Sequence, residues 1–282
     1  MNAPEPFVLE MPHGEIHGVL RFPGGAGPHP AVVICHGFKG FMEWGFFPPL
    51  DDLLVGRGYA TVRFNFTGNG MRPGDELVTA PEAFRHATFS KDLDDLLAVL
   101  DAVGGDSGTL GGDRIDRDRL GLLGHSRGGG ASILAASQPQ WRSRLKALVT
   151  WAAVCTFRRF RDWEDDWRKN GELPIQNART GQELAIGVEV LDDLIAQSDR
   201  LDIPKAAGLR EMPWLIVHGG ADETVYAHDA ETLDQHGGER AELLLVEGAG
   251  HTFGAKHPFA GPTPHLTQVL NATQTWFRRH CW

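Results

Sequence analysis

Ser126 has a sequence setting typical of a catalytic nucleophile. It lies between Gly124 and Gly128 in the pattern G-x-S-x-G, after the apolar run 120–123 and before the helix-forming stretch 131–137. A serine in such a sharp strand-to-helix turn has a strained backbone, and the turn exposes its hydroxyl at the end of the strand. The helix that follows directs free N–H groups toward a developing oxyanion. The alternative is a glycine-rich turn in which the serine only caps a helix.

Two further loops contain the residues that a serine nucleophile requires. A serine hydroxyl is a weak nucleophile at neutral pH, so it needs a base, and the base needs a carboxylate that orients it. Asp222 follows the apolar run 213–218, and His251 follows the apolar run 241–246, each after small residues that permit a tight turn. The chemistry predicted for Ser126, Asp222 and His251 is acyl transfer by a nucleophile, its acid and its base.

Other histidines and acids compete for the last two roles. Among the 13 histidines, His257 is the nearest rival of His251, but it lies further from the strand and directly before a proline. Glu223 and Asp229 are the alternatives to Asp222. Three histidines beside predicted strand ends are expected to be structural, through hydrogen bonds to loop backbones: His36, His125 and His218.

Alternating apolar runs and helical patterns predict the scaffold that positions these loops. Such alternation is typical of an α/β protein with a mainly parallel sheet and helices on both faces. Because right-handed crossovers place the carboxyl ends of parallel strands at one edge, the three loops should meet there. We predict strands at 7–9, 16–22, 31–35, 59–66, 120–123, 145–154, 213–218 and 241–246. We predict helices at 46–57, 89–103, 131–137 and 265–279, and a polar loop at 104–118. Four acids of the second helix are expected to form a solvated face: Asp92, Asp94, Asp95 and Asp101.

The segment 155–212 interrupts this alternation. It is much longer than the usual connection between two strands, and charged residues and tryptophans are concentrated near its start. We interpret it as a helical cap inserted over the site, so that 1–154 and 213–282 form the core. The alternative is a pair of surface helices without a role in the site.

The combined motifs resemble those of the α/β-hydrolase fold family. The chain has a strand ending in His-Gly-Phe at 36–38 and the elbow Gly-His-Ser-Arg-Gly-Gly at 124–129. It also has a Gly-x-x-Asp loop at 219–222 and a Gly-x-x-His loop at 248–251. Within the family it is similar to cinnamoyl/feruloyl esterase-like carboxylesterases and to the catalytic domain of prolyl-oligopeptidase-type peptidases. The resemblance covers nearly the whole chain and implies an eight-stranded sheet with the order nucleophile, acid, histidine.

The resemblance also implies the remaining parts of the site. The oxyanion hole would consist of the backbone N–H groups of Phe38 and Arg127, because backbone donors are rigid and already aimed. The Arg127 side chain could then pair with an acid behind the elbow or point at the substrate. No metal or organic cofactor is required by this chemistry, and no metal-ligand spacing is recognised near the cysteines.

Aromatic residues near the predicted site could line a substrate pocket. They would suit an aryl or otherwise apolar acyl group. Packing of the loop and the cap onto the body is the simpler role for most of them. The candidate pocket residues are Phe41, Trp44, Trp151, Trp163 and Trp167.

The net charge, the cysteine count and the distribution of apolar residues exclude several classes of binding partner. The formal net charge is −10, so neither nucleic acid nor an anionic membrane is expected as a partner. The 3 cysteines do not indicate a disulfide framework, and we recognise neither a leader-like nor a membrane-spanning apolar stretch. We therefore expect a cytoplasmic protein that acts on a small-molecule ester. Exposed aromatic residues of the cap could form the seam of a homodimer.

The expected activity is that of a carboxylesterase-type serine hydrolase working through an acyl-enzyme. One alternative is a small serine peptidase or amidase of the prolyl-oligopeptidase type, in which cap acids anchor a peptide N-terminus. The acids available for that role are Glu164, Asp165 and Asp166. Another alternative is a non-catalytic binding protein on the same fold, although such proteins typically lose a member of the Ser–Asp–His set.

Overall fold

The computed structural model describes residues 3–106 and 108–282, and a sheet of eight strands runs through its centre. The strands of the described residues are β1 (Glu5–Met11), β2 (Gly14–Arg21), β3 (His29–Cys35), β4 (Ala60–Asn65), β5 (Ile115–His125), β6 (Leu145–Trp151), β7 (Glu172–Gln176), β8 (Glu183–Gly187), β9 (Trp214–Gly219) and β10 (Ala241–Val246). The order across the large sheet is β1-β2-β4-β3-β5-β6-β9-β10. Only the pairs β1–β2 and β2–β4 are antiparallel in this sheet. The predicted α/β class and the mainly parallel eight-stranded sheet are confirmed.

Helices cover both faces of the sheet, as predicted. The α-helices of the described residues are α1 (Phe47–Gly56), α2 (Pro81–Arg85), α3 (Phe89–Gly104), α4 (Arg127–Ala136), α5 (Glu164–Asn170), α6 (Val188–Ala196), α7 (Ile203–Leu209), α8 (Ala227–Gly237) and α9 (Pro264–His280). Successive side chains of a strand point to opposite faces. In β3, Val33 therefore belongs to the buried cluster that contains α3 and α4, whereas Val32 and Ile34 belong to the cluster that contains α1 and α9.

Strand β5 is longer than the sequence predicted. It begins at Ile115, inside the predicted polar loop, and pairs there with His29 of β3 before a register shift. Residues 116–119 are charged and at least partly exposed, so their composition hides the strand. The buried apolar run that follows carries the chain to the turn at Ser126.

The segment between β6 and β9 contains strands as well as helices. Helix α5 is followed by the antiparallel hairpin β7–β8, and α6 and α7 follow the hairpin. The sequence analysis predicted only helices here, because each strand is 5 residues long and β7 contains a proline. The hairpin places Leu173 and Ile186 in the main buried cluster.

The acids of α3 do not all face solvent, which corrects the prediction of a solvated face. Asp92 and Asp95 are buried, whereas Asp94 is half-buried and Asp101 is exposed. The Asp95 carboxylate accepts hydrogen bonds from the backbone and the hydroxyl of Thr67. These bonds supply the partners that a buried carboxylate needs.

In the part of the chain that the structure describes, no helix combines the length and the hydropathy needed to cross a membrane.

Candidate active site

Ser126 occupies a strained turn between a strand and a helix. Strand β5 ends at His125 and α4 begins at Arg127, and Ser126 between them has φ 56° and ψ −121°. A positive φ is costly for a residue with a side chain, so the surrounding contacts must hold it. The Ser126 N–H donates to the carbonyl of Trp151 at 2.9 Å, and the Ser126 carbonyl accepts from the N–H of Gly130 at 3.2 Å.

The glycines around Ser126 are required by close backbone approach. A Cβ atom at Gly128 would lie 2.2 Å from the carbonyl oxygen of His36, and one at Gly124 would lie 2.3 Å from the carbonyl oxygen of Gly128. Neither neighbour is a flexible side-chain end that could move aside. The G-x-S-x-G pattern therefore reflects how tightly α4 passes across β5 and the loop after β3.

The three residues singled out by the sequence come together at the carboxyl edge of the sheet. The Oγ of Ser126 lies 3.0 Å from Nε2 of His251, and Nδ1 of His251 lies 2.7 Å from Oδ2 of Asp222. Because an ionised carboxylate only accepts hydrogen bonds, Nδ1 of His251 carries the hydrogen. Nε2 is then free to accept a hydrogen bond from the Ser126 hydroxyl.

Asp222 is held in its ionised form. Burial by itself raises the pKa of the Asp222 carboxyl, but hydrogen bonds from His218 and His251 outweigh burial and bring the pKa below its ordinary value. Its Oδ1 also accepts from the backbone N–H groups of Thr224 at 2.8 Å and Val225 at 2.9 Å. A fixed negative charge therefore faces the imidazole of His251.

The rival residues lie elsewhere. The ring of His257 accepts from the N–H of Gly45 at 3.0 Å and donates to Glu76 at 2.6 Å. Glu223 is exposed, and Asp229 accepts a hydrogen bond from the backbone N–H of Cys155 at 2.9 Å. His251 is thus bonded to Asp222 and not to either alternative acid.

Three buried histidines have the structural contacts predicted for them. His36 donates to the carbonyl of Gly37 at 2.9 Å, His125 to that of His251 at 3.1 Å, and His218 to that of Val225 at 2.8 Å. Burial lowers the pKa of His36 to about 4 and that of His125 to about 3. Both rings are therefore neutral at pH 7.

The loop after β3 forms a turn against Ser126. The N–H of Gly40 donates to the carbonyl of Gly37 at 3.0 Å, and Lys39 has a positive φ of 56°. A Cβ atom at Gly37 would lie 3.0 Å from the Cβ of Ser126, so this turn adjoins the serine. Phe38 lies within the turn, and Arg127 supplies the first N–H of α4, which has no intrahelical partner.

Comparison with known proteins identifies the family. The family model described as the alpha/beta hydrolase family matches residues 32–261.

The chain belongs to the alpha/beta hydrolase family.

A curated hydrolase is similar to this member of the alpha/beta hydrolase family over most of the chain. The chain is 26% identical over 246 residues to 2,6-dihydropseudooxynicotine hydrolase of Paenarthrobacter nicotinovorans, covering 82% of this chain and 55% of the relative. The chain spans about half the length of the curated relatives it matches.

Two solved structures share the fold across their whole length. A putative hydrolase from Agrobacterium vitis S4 has a TM-score of 0.75 at 20% identity, covering 98% of this chain and 100% of that one. Est1E from Butyrivibrio proteoclasticus with ferulic acid bound has a TM-score of 0.71 at 22% identity, covering 97% of this chain and 98% of that one. At these identities the likeness concerns the fold.

The alpha/beta hydrolase has a cavity of about 650 Å³ beside Ser126 and His251. Side chains from the loop after β3, from α3 and from the segment 155–212 line it. Its aromatic lining consists of Phe38, Phe89, Phe157, Phe160, Trp163 and Trp167. Concave, mainly apolar cavities of this size are typical of small-molecule sites.

The candidate pocket residues divide into two groups. Trp163 and Trp167 line the cavity, whereas Phe41, Trp44 and Trp151 do not, which corrects the prediction for these three. Trp151 is fully buried in the cluster that contains α9, and its Nε1 donates to the hydroxyl of Thr273 at 2.9 Å. The rings of Phe41 and Trp44 pack against His257, with ring centroids 4.9 Å and 6.4 Å away.

Asp92 is a residue behind the site whose role the sequence analysis missed, as it also missed the cavity-lining residues Phe89, Phe157 and Phe160. Its carboxylate accepts a hydrogen bond from Nε of Arg127, while the Arg127 Nη2 donates to the carbonyl of Ala87 at 3.2 Å. Burial raises the pKa of Asp92 to about 6, against the opposing effect of Arg127. The Arg127 side chain therefore pairs with an acid behind the elbow. The signal that could have found Asp92 is the requirement that an arginine in a buried turn has an acidic partner.

Proposed function

We propose that this protein is a serine hydrolase that cleaves carboxylic esters through an acyl-enzyme intermediate. The observation that carries the proposal is the continuous hydrogen-bonded chain from Ser126 Oγ through His251 to Asp222, with bonds of 3.0 Å and 2.7 Å. A nucleophile bonded to a base that is itself oriented by a carboxylate is the arrangement that serine catalysis requires.

Acylation uses each of these groups. Ser126 Oγ attacks the ester carbonyl carbon while its proton passes to Nε2 of His251. Asp222 stabilises the imidazolium through Nδ1–H, and it can do so because its carboxylate is ionised. The oxyanion receives hydrogen bonds from the backbone N–H groups of Phe38 and Arg127. His251 then protonates the departing alcohol, and the acyl group remains on Ser126.

Deacylation repeats the same proton transfers with water. His251 takes a proton from a water molecule, whose oxygen attacks the acyl carbon of the ester on Ser126. When the tetrahedral intermediate collapses, the proton returns from His251 to Ser126 Oγ and the carboxylic acid leaves.

The cavity beside Ser126 would hold the acyl group during both steps, and the aromatic residues of 155–212 give this segment the role of a cap over it.

An ester is favoured over a peptide by the charges near the cavity. A peptidase that recognises a free N-terminus needs a carboxylate in its site. Of the three acids considered for that role, none lines the cavity, and Glu164 is bonded to Arg158 at 2.6 Å. The strained positive φ of Ser126 has a role in catalysis but none in a protein that only binds its ligand.

The test is hydrolysis of p-nitrophenyl esters of increasing acyl length by the purified protein. Ester turnover should fall by about 10⁶-fold in Ser126→Ala, since the nucleophile is lost. Ser143→Ala, which alters an exposed serine after α4, is the matched control and should retain full activity. An aminoacyl p-nitroanilide cleaved faster than the esters would favour the peptidase. Absence of both turnover and fluorophosphonate labelling would overturn the hydrolase proposal.

A further inference from the structure

The charges that line the large cavity are all positive. Lys39, Arg127 and Arg159 contribute to its lining, and none of the described residues that line it is an aspartate or a glutamate. An otherwise apolar cavity with this one-sided charge is more favourable for an anion than for a cation.

Two of these cations are already neutralised from outside the cavity. Arg127 is hydrogen-bonded to the buried carboxylate of Asp92. Arg159 lies 3.1 Å from the carboxylate of Asp229 and donates to the carbonyl of Thr224 at 2.9 Å. The charges of Arg127 and Arg159 are therefore already paired within the protein.

Lys39 differs from both arginines. Its Nζ donates to the backbone carbonyl of Gln176, at the end of β7, at 3.2 Å. Within the described part of the chain it forms no ion pair with a carboxylate. Lys39 is half-buried, and burial lowers the pKa of its ammonium group below the ordinary value.

A half-buried ammonium group without a counter-ion has unused binding capacity. An ammonium has three N–H donors, and a single carbonyl satisfies only one of them. Replacing water around such a charge with apolar surface is unfavourable, and a carboxylate in the cavity would offset this cost. Lys39 belongs to the turn beside Ser126, and the hydrogen bond to the carbonyl of Gln176 directs its ammonium group toward the end of β7.

We propose that Lys39 binds a carboxylate carried by the acyl part of the ester, so that the substrates are half-esters of dicarboxylic acids with an apolar spacer. The inference rests on the proposed ester hydrolysis. An anchor on the acyl part serves both chemical steps, because this part stays attached to Ser126 until water releases it. The aromatic lining contacts the spacer, and the ammonium contacts its far end.

Two esters with acyl chains of equal length test this assignment, p-nitrophenyl hemisuberate and p-nitrophenyl octanoate. The ratio of their kcat/KM values should fall by about tenfold in Lys39→Met, since one charge-assisted hydrogen bond is lost while the apolar stem is kept. Lys39→Arg should retain most of the ratio. The matched control is Lys91→Met, because Lys91 also donates to a backbone carbonyl, that of His86 at 3.0 Å, but does not line the cavity.

Binding separates failure of this inference from failure of the proposed function. Monomethyl suberate should bind the Ser126→Ala protein about tenfold more weakly when Lys39→Met is added, as measured by calorimetry. An unchanged kcat/KM ratio and an unchanged Kd would overturn the role of Lys39 while leaving ester hydrolysis intact. Loss of octanoate turnover in every preparation would instead contradict the proposed function, and the Kd comparison would still decide the carboxylate site.

Discussion

The guanidinium of Arg127, the first residue of α4, donates a hydrogen bond to the carboxylate of Asp92, which lies 35 residues earlier in α3. The same guanidinium stacks over the ring of Phe89, 4.3 Å from its centroid. The residue whose N–H is the proposed oxyanion donor is thus held from behind by a buried acid.

Asp92→Asn should weaken both stability and catalysis. Removal of one partner of a buried ion pair leaves the guanidinium uncompensated, so the free energy of unfolding should fall by about 3 kcal/mol. Displacement of the Arg127 N–H should lower kcat/KM for esters about tenfold, which corresponds to about 1.4 kcal/mol of transition-state stabilisation. Urea unfolding and steady-state kinetics measure the two effects. Asp94→Asn, which alters a half-buried acid of the same helix, should leave both quantities within error of the parent protein.

Asp222→Asn should reduce kcat while leaving the fold in place. An amide can donate to Nδ1 of His251 and so favour the tautomer with its hydrogen on Nε2, which cannot accept the Ser126 proton. In a serine protease this change lowers kcat by about 10⁴-fold, and a similar loss is expected here. Single-turnover kinetics with a p-nitrophenyl ester would measure it. Glu223→Gln changes the adjacent, exposed acid and should have little effect; a comparable loss in that variant would assign the acid to Glu223.

Gly128→Ala and Gly56→Ala should change stability in opposite directions. The new Cβ at Gly128 would collide with the carbonyl oxygen of His36 at 2.2 Å, so the free energy of unfolding should fall by about 2 kcal/mol or more. At Gly56, the last residue of α1, nothing lies within 4 Å of the new Cβ. There, alanine should add about 0.5 kcal/mol, because it restricts the unfolded chain. Urea unfolding would test both, and equal effects of the two substitutions would contradict the close approach at the elbow.

The burial of His36 as a neutral ring should make the free energy of unfolding fall as the pH is lowered. Its folded-state pKa is about 4, below the ordinary value of 6.5, so between these values the unfolded chain binds the extra proton. Each such proton changes the free energy of unfolding by about 1.4 kcal/mol per pH unit, and stability is lost as the pH falls. In His36→Gln the loss per pH unit should be smaller by about this amount.

Comparison of variants isolates this effect from other titrating groups. The raised pKa of Asp92 acts in the opposite direction, stabilising the fold as the pH falls, but it contributes equally to both proteins. Urea unfolding at pH 5 and pH 6.5 gives the slopes. His228→Gln, at an exposed position of α8, is the control, and the same slope in all three proteins would exclude His36 as the cause.

The amino-acid sequence by itself determined the order along the chain of the eight strands of the large sheet, and it identified the loops that carry the chemistry. Continuous apolar runs mark parallel strands because these strands are buried on both faces, as in β3 and β9. Ser126, Asp222 and His251 each lie within a few residues of the end of an apolar run, and parallel strands bring their carboxyl ends to one edge. The local pattern and the topology rules were therefore sufficient to bring these three residues together.

Only the tertiary structure decided which side chains share a space. Trp151 is the last residue of β6, and its side chain lies on the face of the sheet that packs against α9. Neighbouring side chains of a strand point to opposite faces, so its aromatic character did not reveal which face it occupies. Asp92 looked like part of a solvated face because its partner, Arg127, comes from another helix. The ammonium of Lys39 meets the end of β7 only because the segment after β6 folds back over the site. Such pairings depend on contacts between residues far apart in the chain, and a local pattern carries no information about them.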